Sequence, residues 1–180
     1  MNSQIFAYLK RKQLTDTRTV NRLFVSSFVL FSDMKIENNY VIKSLLIDKE
    51  DEDFDLLQEF VSKIHHFHPA PMTIEDMISL FEFVISPADR IVTGAVYTPK
   101  YVRENIIETC LNTIPNEQMQ HVRVADIACG CGGFLMDVAL FLHNNTGKTF
   151  YNIYQESIYG IDIQEYSVES CLLYTSDAAD

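Results

Sequence analysis

The 180-residue chain contains no tryptophan and only six glycines, five prolines and four cysteines. Glycine and proline at that level exclude a collagen-like or low-complexity polymer, and so few cysteines exclude a disulfide scaffold. Long apolar runs are missing too. The longest, Leu23 to Phe31, is broken by Ser26 and Ser27 and is far short of the roughly 20 residues a bilayer crossing needs, so it reads as a core helix. The opening Met1-Asn2-Ser3-Gln4 has no charged segment leading into an apolar one, so no secretory signal is expected and the expected location is cytoplasmic. All four cysteines, Cys110, Cys129, Cys131 and Cys171, then read as unbridged thiols without zinc-ribbon spacing. Positive charge is scarce: 14 Lys and Arg against 25 Asp and Glu leave a formal charge of −11. That balance repels a phosphate backbone, so if DNA is a partner its basic contact surface lies elsewhere.

What is present is apolar pattern. Hydrophobic residues make up 47% of the chain, and a chain of about 150 residues buries roughly 70% of its unfolded surface, enough for a real core. Val20, Leu23, Phe24, Ser27, Phe28 and Phe31 recur at helical spacing behind Asp16, which predicts a capped helix over 17–31. The charge run 48–53, DKEDED, reads as a solvated entrance to a second helix carrying Phe54, Leu57, Phe60, Val61 and Ile64 on one face. Thr73 and Asp76 suggest a capping box for a third helix, expected to stop at Ser86-Pro87. His65, His66 and His68 lack a nearby carboxylate or cysteine to complete a ligand set and read as a loop after a helix. Residues 1–90 are therefore expected to form a helical module.

Beyond Gly94 the pattern changes. Thr98 with Pro99 predicts a cap and a first helical residue, with Val102, Ile106, Ile107, Cys110 and Leu111 inward. A β-branched run, Val122 to Ile127, is followed by Ala128-Cys129-Gly130-Cys131-Gly132-Gly133 and by helical spacing over Phe134 to His143. Strand, glycine turn, helix is the order that sets backbone amides and a helix N-terminus beside a ligand. A second strand, Ile158 to Ile163, and a further helix from Gln164 to Leu173 are expected next.

The dinucleotide fingerprint G-x-G-x-x-G needs a glycine where this chain has Leu135, so a classical dinucleotide site fits poorly. Asp126 stands at the mouth of the loop instead. A pyrophosphate has no use for an acid there, whereas an amine-bearing ligand does. S-adenosylmethionine carries an amino group, a sulfonium and a ribose diol suited to a carboxylate at the end of the next strand. Asp162 stands at that end, with Ile163 placed to cover an adenine face. Each acid also has a purely structural use, Asp126 capping the glycine loop and Asp162 capping the helix after it. Cys129 and Cys131 alternate with glycines where small side chains suffice, and no redox or nucleophilic role is expected of them.

Taken together, Gly94-Ala95-Val96-Tyr97-Thr98-Pro99, Asp126-Ile127-Ala128-Cys129-Gly130-Cys131-Gly132-Gly133-Phe134-Leu135 and Tyr159-Gly160-Ile161-Asp162-Ile163 resemble the N6-adenine DNA methyltransferase family. The similarity is to its Tyr-Thr-Pro group, which includes type I modification subunits and fused restriction-modification enzymes, and it covers about residues 90–170. The resemblance implies an α/β fold: a helical N-terminal module, then, over 91–172, the start of a class I S-adenosylmethionine-dependent (Rossmann-like) methyltransferase domain. It assigns Thr98 and Pro99, with Tyr97 before them, to the methionine carboxylate end of the cofactor and Asp126 to its amino group. Ala128, Gly130, Gly132 and Phe134 line the pocket in that reading, Asp162 binds the ribose hydroxyls and Ile163 lies against the base.

The family's base-holding loop, Asn or Asp followed by Pro-Pro and an aromatic residue, has no counterpart here, because no Pro-Pro pair occurs. The expectation is a chain truncated before that loop, with no catalytic residue of its own. DNA contact is then expected through regions beyond residue 180, with specificity or restriction subunits as partners and no membrane. Residues 173–180 are expected to be a non-native tail, or else a frayed terminus. Two other functions stay open: a methyltransferase of the same fold acting on RNA or on a protein glutamine, and a helical assembly module attached to a degenerate cofactor fold.

Overall fold

Apolar residues three and four apart fold into helices that bury one stripe each, and the computed structural model contains ten of them among the described residues. It describes residues 2–14, 16–32, 36, 37, 39–68, 73–93 and 98–175, with 84–93, 174 and 175 as backbone alone. Two units, Met1–Val96 and Tyr97–Asp180, make up the chain.

The first unit contains α1 (Asn2–Arg11), α2 (Thr17–Ser32), α3 (Tyr40–Leu45), α4 (Phe54–Phe67) and α5 (Ile74–Thr93). Asp16 caps α2, its carboxylate accepting the Thr19 amide at 2.7 Å. Phe24 stands at the centre, its ring edge-on to Phe60 at 5.2 Å and to Phe81 at 5.9 Å. The serines that interrupt the apolar run are satisfied internally: Ser26 Oγ accepts the Ile47 amide at 2.9 Å and Ser27 Oγ donates to the Phe24 carbonyl at 2.9 Å. The acidic run forms the entrance to α4, where Arg22 pairs with Asp51 and, at 2.9 Å, with Asp53. His65 and His66 lie in the last turn of α4 and His68 follows as its C-cap. The capping box is present, with Thr73 Oγ1 accepting the Asp76 amide at 3.1 Å and Asp76 accepting the Thr73 amide at 2.9 Å. One expectation fails here. The third predicted helix, α5, does not stop at Ser86-Pro87 but continues to Thr93. A proline removes one backbone donor, and the residues that follow, Ala88 to Thr93, hold no second breaker before Gly94.

The second unit contains α6 (Lys100–Leu111), α7 (Asn116–Met119), β1 (Val124–Asp126), α8 (Gly133–Thr146), α9 (Phe150–Glu156), β2 (Ile158–Gly160) and α10 (Glu165–Thr175). β1 and β2 pair in parallel, Val124 opposite Ile158 and Asp126 opposite Gly160. A parallel pair needs a crossover, and α8 and α9 supply it. Ile107 and Leu111 of α6 pack with Val138, Ala139 and Leu142 of α8 and Ile153 of α9.

Both strands are shorter than predicted. The Val122 amide is drawn into the turn after α7, where it donates to the Met119 carbonyl at 3.3 Å, and turns formed by Asp126 and Asp162 end the two strands. The inward face of α6 also differs from expectation. Ile106 and Cys110 are exposed, while Arg103 joins Ile107 and Leu111 in the buried stripe. Pro99 is the N-cap of α6 rather than its first residue, and the cap has no side-chain hydrogen bond. The fold is thus mostly helical with a two-stranded parallel sheet. α10 runs through the buried Leu173 to Thr175, and residues 176–180 of the expected tail lie outside the described residues. No helix among the described residues is long and apolar enough to cross a membrane.

Candidate cofactor site

The site is built where β1 and β2 end together. At the end of β1 the Asp126 carboxylate accepts the Ala128 amide at 3.1 Å, turning the chain out of the strand. The loop is then sewn to the other strand's exit, with the Cys129 amide donating to the Ile161 carbonyl at 3.0 Å and the Ile161 amide to the Asp126 carbonyl at 2.9 Å. Across this junction Asp162 Oδ2 accepts the Gly130 amide at 2.9 Å, while its Oδ1 accepts the Gln164 amide at 2.8 Å. Asp126 keeps its second oxygen without a hydrogen bond from the described residues. Asp126 therefore turns the loop as anticipated, whereas Asp162 forms a turn with Gln164 ahead of α10 rather than capping the helix. Both acids keep capacity, since each carboxylate offers about four lone-pair directions.

Gly132 enters α8 with φ of +82° as its N-cap. A Cβ there would stand 2.8 Å from Cys171 Sγ, so both backbone sign and space demand glycine. Phe134, in the first turn of α8, is half-buried and packs against the Ile107 and Val138 cluster. Ile127, Ile161 and Ile163 surround the strand exits and are exposed, Ile163 at 92%. Three apolar side chains are thus left on the surface where the strands end, beside two carboxylates.

Sequence reasoning missed a buried ion pair beside Thr98. Arg103 of α6 is 4% exposed and donates from Nε to Asp137 of α8 at 2.8 Å and from Nη1 to the Thr98 carbonyl at 3.0 Å. It lies over Gly133, where a Cβ would approach its guanidinium carbon to 3.0 Å. The pair therefore ties Thr98 and Pro99 to the start of α8. The available signal was Asp137 itself, an acid flanked by Leu135, Val138 and Ala139 on a buried face, where a charge requires a partner. Tyr97 lies outside the described residues.

Two thiols meet beneath the loop. Cys129 Sγ and Cys171 Sγ are 3.8 Å apart, and Cys171 Sγ is 3.3 Å from the Gly130 carbonyl, so its one proton has two acceptors in reach. The hydrogen bond from Cys171 holds the Cys129 thiol below its ordinary value, against burial and the nearby carboxylates of Asp162 and Asp126. The same bond pushes the Cys171 thiol up, with burial acting in the same direction.

A strand-end acid, a glycine loop feeding a helix and a second strand-end acid thus stand together in the second unit. The model of the N-6 DNA methylase family matches residues 75–174. The chain belongs to that family. The match covers more than half of the chain and includes every residue named above at the strand exits. No curated protein and no solved structure matches the chain.

Proposed function

We propose that the Tyr97–Asp180 unit binds S-adenosylmethionine at the exits of β1 and β2. In this reading the chain is the cofactor-binding part of an adenine-specific DNA methyltransferase of a restriction-modification or related defence system. The observation that carries it is the coupling of Asp162 to the Gly130 amide, which fixes an acid of one strand against the glycine loop that follows the other. Ligands of open parallel sheets lie outside the carboxyl ends of the strands, where these groups stand.

The residues fit the cofactor. Asp126, with an uncommitted oxygen, suits the amino group, and the outer lone pairs of Asp162 suit the ribose diol. Ile163, exposed at 92%, offers an apolar face to the adenine, with Ala128, Gly130, Gly132 and the first turn of α8 at Phe134 as the floor. Thr98 and Pro99, held by Arg103, stand for the methionine carboxylate end, with Tyr97 preceding them. Bound there, the cofactor supplies an electrophilic methyl group on a sulfonium. The chain's own residues orient it and hold its charges.

The β1–loop–α8–β2 unit supports a Rossmann-like assignment as the first crossover of such a sheet. With no Pro-Pro pair in the sequence, the base-holding chemistry is assigned to residues other than these 180. DNA contact is assigned with it, as are any specificity or restriction subunits.

Titration calorimetry of the full chain with S-adenosylmethionine tests the reading. Binding that weakens on replacing Asp162 supports it. Absence of binding overturns it in favour of a helical assembly module on a degenerate cofactor fold. Incubation of the chain with tritiated cofactor and adenine-rich duplex is expected to leave the DNA unlabelled. Label above background would place catalytic residues inside this chain.

A further inference from the structure

Cys129 leaves β1 in the glycine loop and Cys171 comes from α10, 42 residues later, yet their sulfurs stand 3.8 Å apart. None of the four cysteines is in a disulfide. Among the described residues no group of three or more His, Cys, Asp or Glu is gathered as a metal ion requires, so the chemistry open to the pair is that of thiols. We propose that Cys129 and Cys171 are a peroxide-oxidisable dithiol whose closure to a disulfide displaces the glycine loop. Cys171, the half-buried member, borders Gly130, which is also partly exposed, and these give a small oxidant its approach.

The steps balance. The Cys129 sulfur attacks one oxygen of hydrogen peroxide, the O–O bond breaks, and Cys129 sulfenic acid and water result. The Cys171 sulfur then attacks the sulfenic sulfur, the S–O bond breaks, and a second water leaves with the Cys171 proton. Two thiols lose two electrons and the peroxide gains them. The order follows from the local hydrogen bonding, in which Cys171 supports a thiolate on Cys129 and itself remains protonated.

The consequence lies in Gly130. Cys171 Sγ also stands 3.3 Å from the Gly130 carbonyl, within reach of its one proton, and a disulfide has no proton to give. Closing the sulfurs from 3.8 Å to about 2.05 Å also draws the loop and α10 together where Cys171 already packs closely on Gly132. Gly130 is the residue whose amide Asp162 holds, so oxidation strains that bond. The effect on cofactor binding rests on the reading proposed above; the disulfide chemistry does not.

The test uses the full chain with Cys110→Ser and Cys131→Ser, so that one pair remains. After hydrogen peroxide and alkylation, trypsin cutting after Arg123 and Lys148 separates Cys129 from Cys171. The expected result is a linked pair of peptides that dithiothreitol releases, formed within a monomer on a non-reducing gel. Cys171→Ser is expected to stop at a Cys129 sulfenic acid that dimedone traps. Two alkylated, unlinked peptides, or linkage between copies only, would overturn the proposal. Hydrogen exchange at residues 129–133 is expected to rise at least tenfold in the oxidised protein, and unchanged exchange in a linked sample would overturn the loop displacement. S-adenosylmethionine affinity is expected to fall at least tenfold on oxidation. If the reduced chain binds no cofactor, the functional reading fails while the linkage and exchange results still decide the switch.

Discussion

Asp162 reaches back across the strand exits to hold the amide of Gly130 at 2.9 Å, joining two segments that the sequence separates by 32 residues. The same carboxylate takes the Gln164 amide, so one side chain shapes the glycine loop, ends β2 and orients the start of α10. A ligand that used its outer lone pairs would sense all three.

Replacing Asp162 is expected to weaken S-adenosylmethionine by about 1.5 to 3 kcal/mol, about tenfold or more in Kd, because a charged acceptor is lost. Asp162→Ala also orphans the Gly130 amide, whereas Asp162→Asn keeps an acceptor for it. Calorimetry on both variants separates the roles. Equal affinity in the wild type and both variants would remove Asp162 from the site.

The Arg103–Asp137 pair makes a prediction about stability. Both side chains are nearly fully buried, at 4% and 6% exposure, and removing one partner leaves an uncompensated charge. Arg103→Ala or Asp137→Ala is expected to destabilise the second unit by about 3 to 5 kcal/mol. The paired change to Arg103→Met with Asp137→Leu is expected to cost less than either alone. Urea midpoints measure this, and additive losses in the paired variant would show that the two charges do not depend on each other.

Much of this arrangement is legible in the sequence. The Phe24, Phe28, Leu57, Phe60 and Ile64 stripes, the Asp16 cap and the strand–glycine loop–helix order follow from local periodicity and turn chemistry, which a single sequence displays. What escaped were contacts between distant segments. Arg103 falls on a helix face with Ile106 and Cys110 as apparent rivals for burial, and only the position of Asp137 on another helix decides which face turns inward. Pro87 misled for the opposite reason: a local rule against helix was outweighed by helical residues on both sides. Cys171 sits in an unremarkable stretch of sequence, and nothing local reveals that Cys129 lies against it. The short α3, α7 and α9 carry too few periodic residues to be seen, whereas the Ile5, Tyr8 and Leu9 stripe of α1 was legible and went unread.

Gly132 gives a sharper test of the loop. Alanine there must adopt φ near +82° and place its Cβ 2.8 Å from Cys171 Sγ. Gly132→Ala is expected to cost about 1 to 3 kcal/mol. Adding Cys171→Ala, measured against Cys171→Ala alone, removes the Sγ clash and leaves the backbone strain, so it should recover part of the loss. Full recovery in thermal melts would mean that the positive φ costs nothing, and no recovery would mean that the clash is absorbed elsewhere.

The last expectation concerns acid and the first unit. Asp16 accepts the Thr19 amide at 2.7 Å, and that hydrogen bond holds its carboxyl below the usual carboxylate range, with Arg18 assisting and slight burial opposing. With the folded value below the unfolded one, the unfolded chain binds more protons over that interval, so stability rises with pH there. The cap contribution is complete above the ordinary carboxylate range and is lost as pH falls through the depressed folded value. Asp16→Ala should cost about 1 kcal/mol at neutral pH. Asp16→Asn caps nearly as well yet cannot titrate. The difference between wild type and Asp16→Asn isolates this one group, since every other carboxylate titrates alike in both. That difference should be flat above the carboxylate range and should move against the wild type as acid is added, in urea midpoints followed by circular dichroism. Curves that stay parallel down through the acid range would show that Asp16 caps α2 no better ionised than neutral.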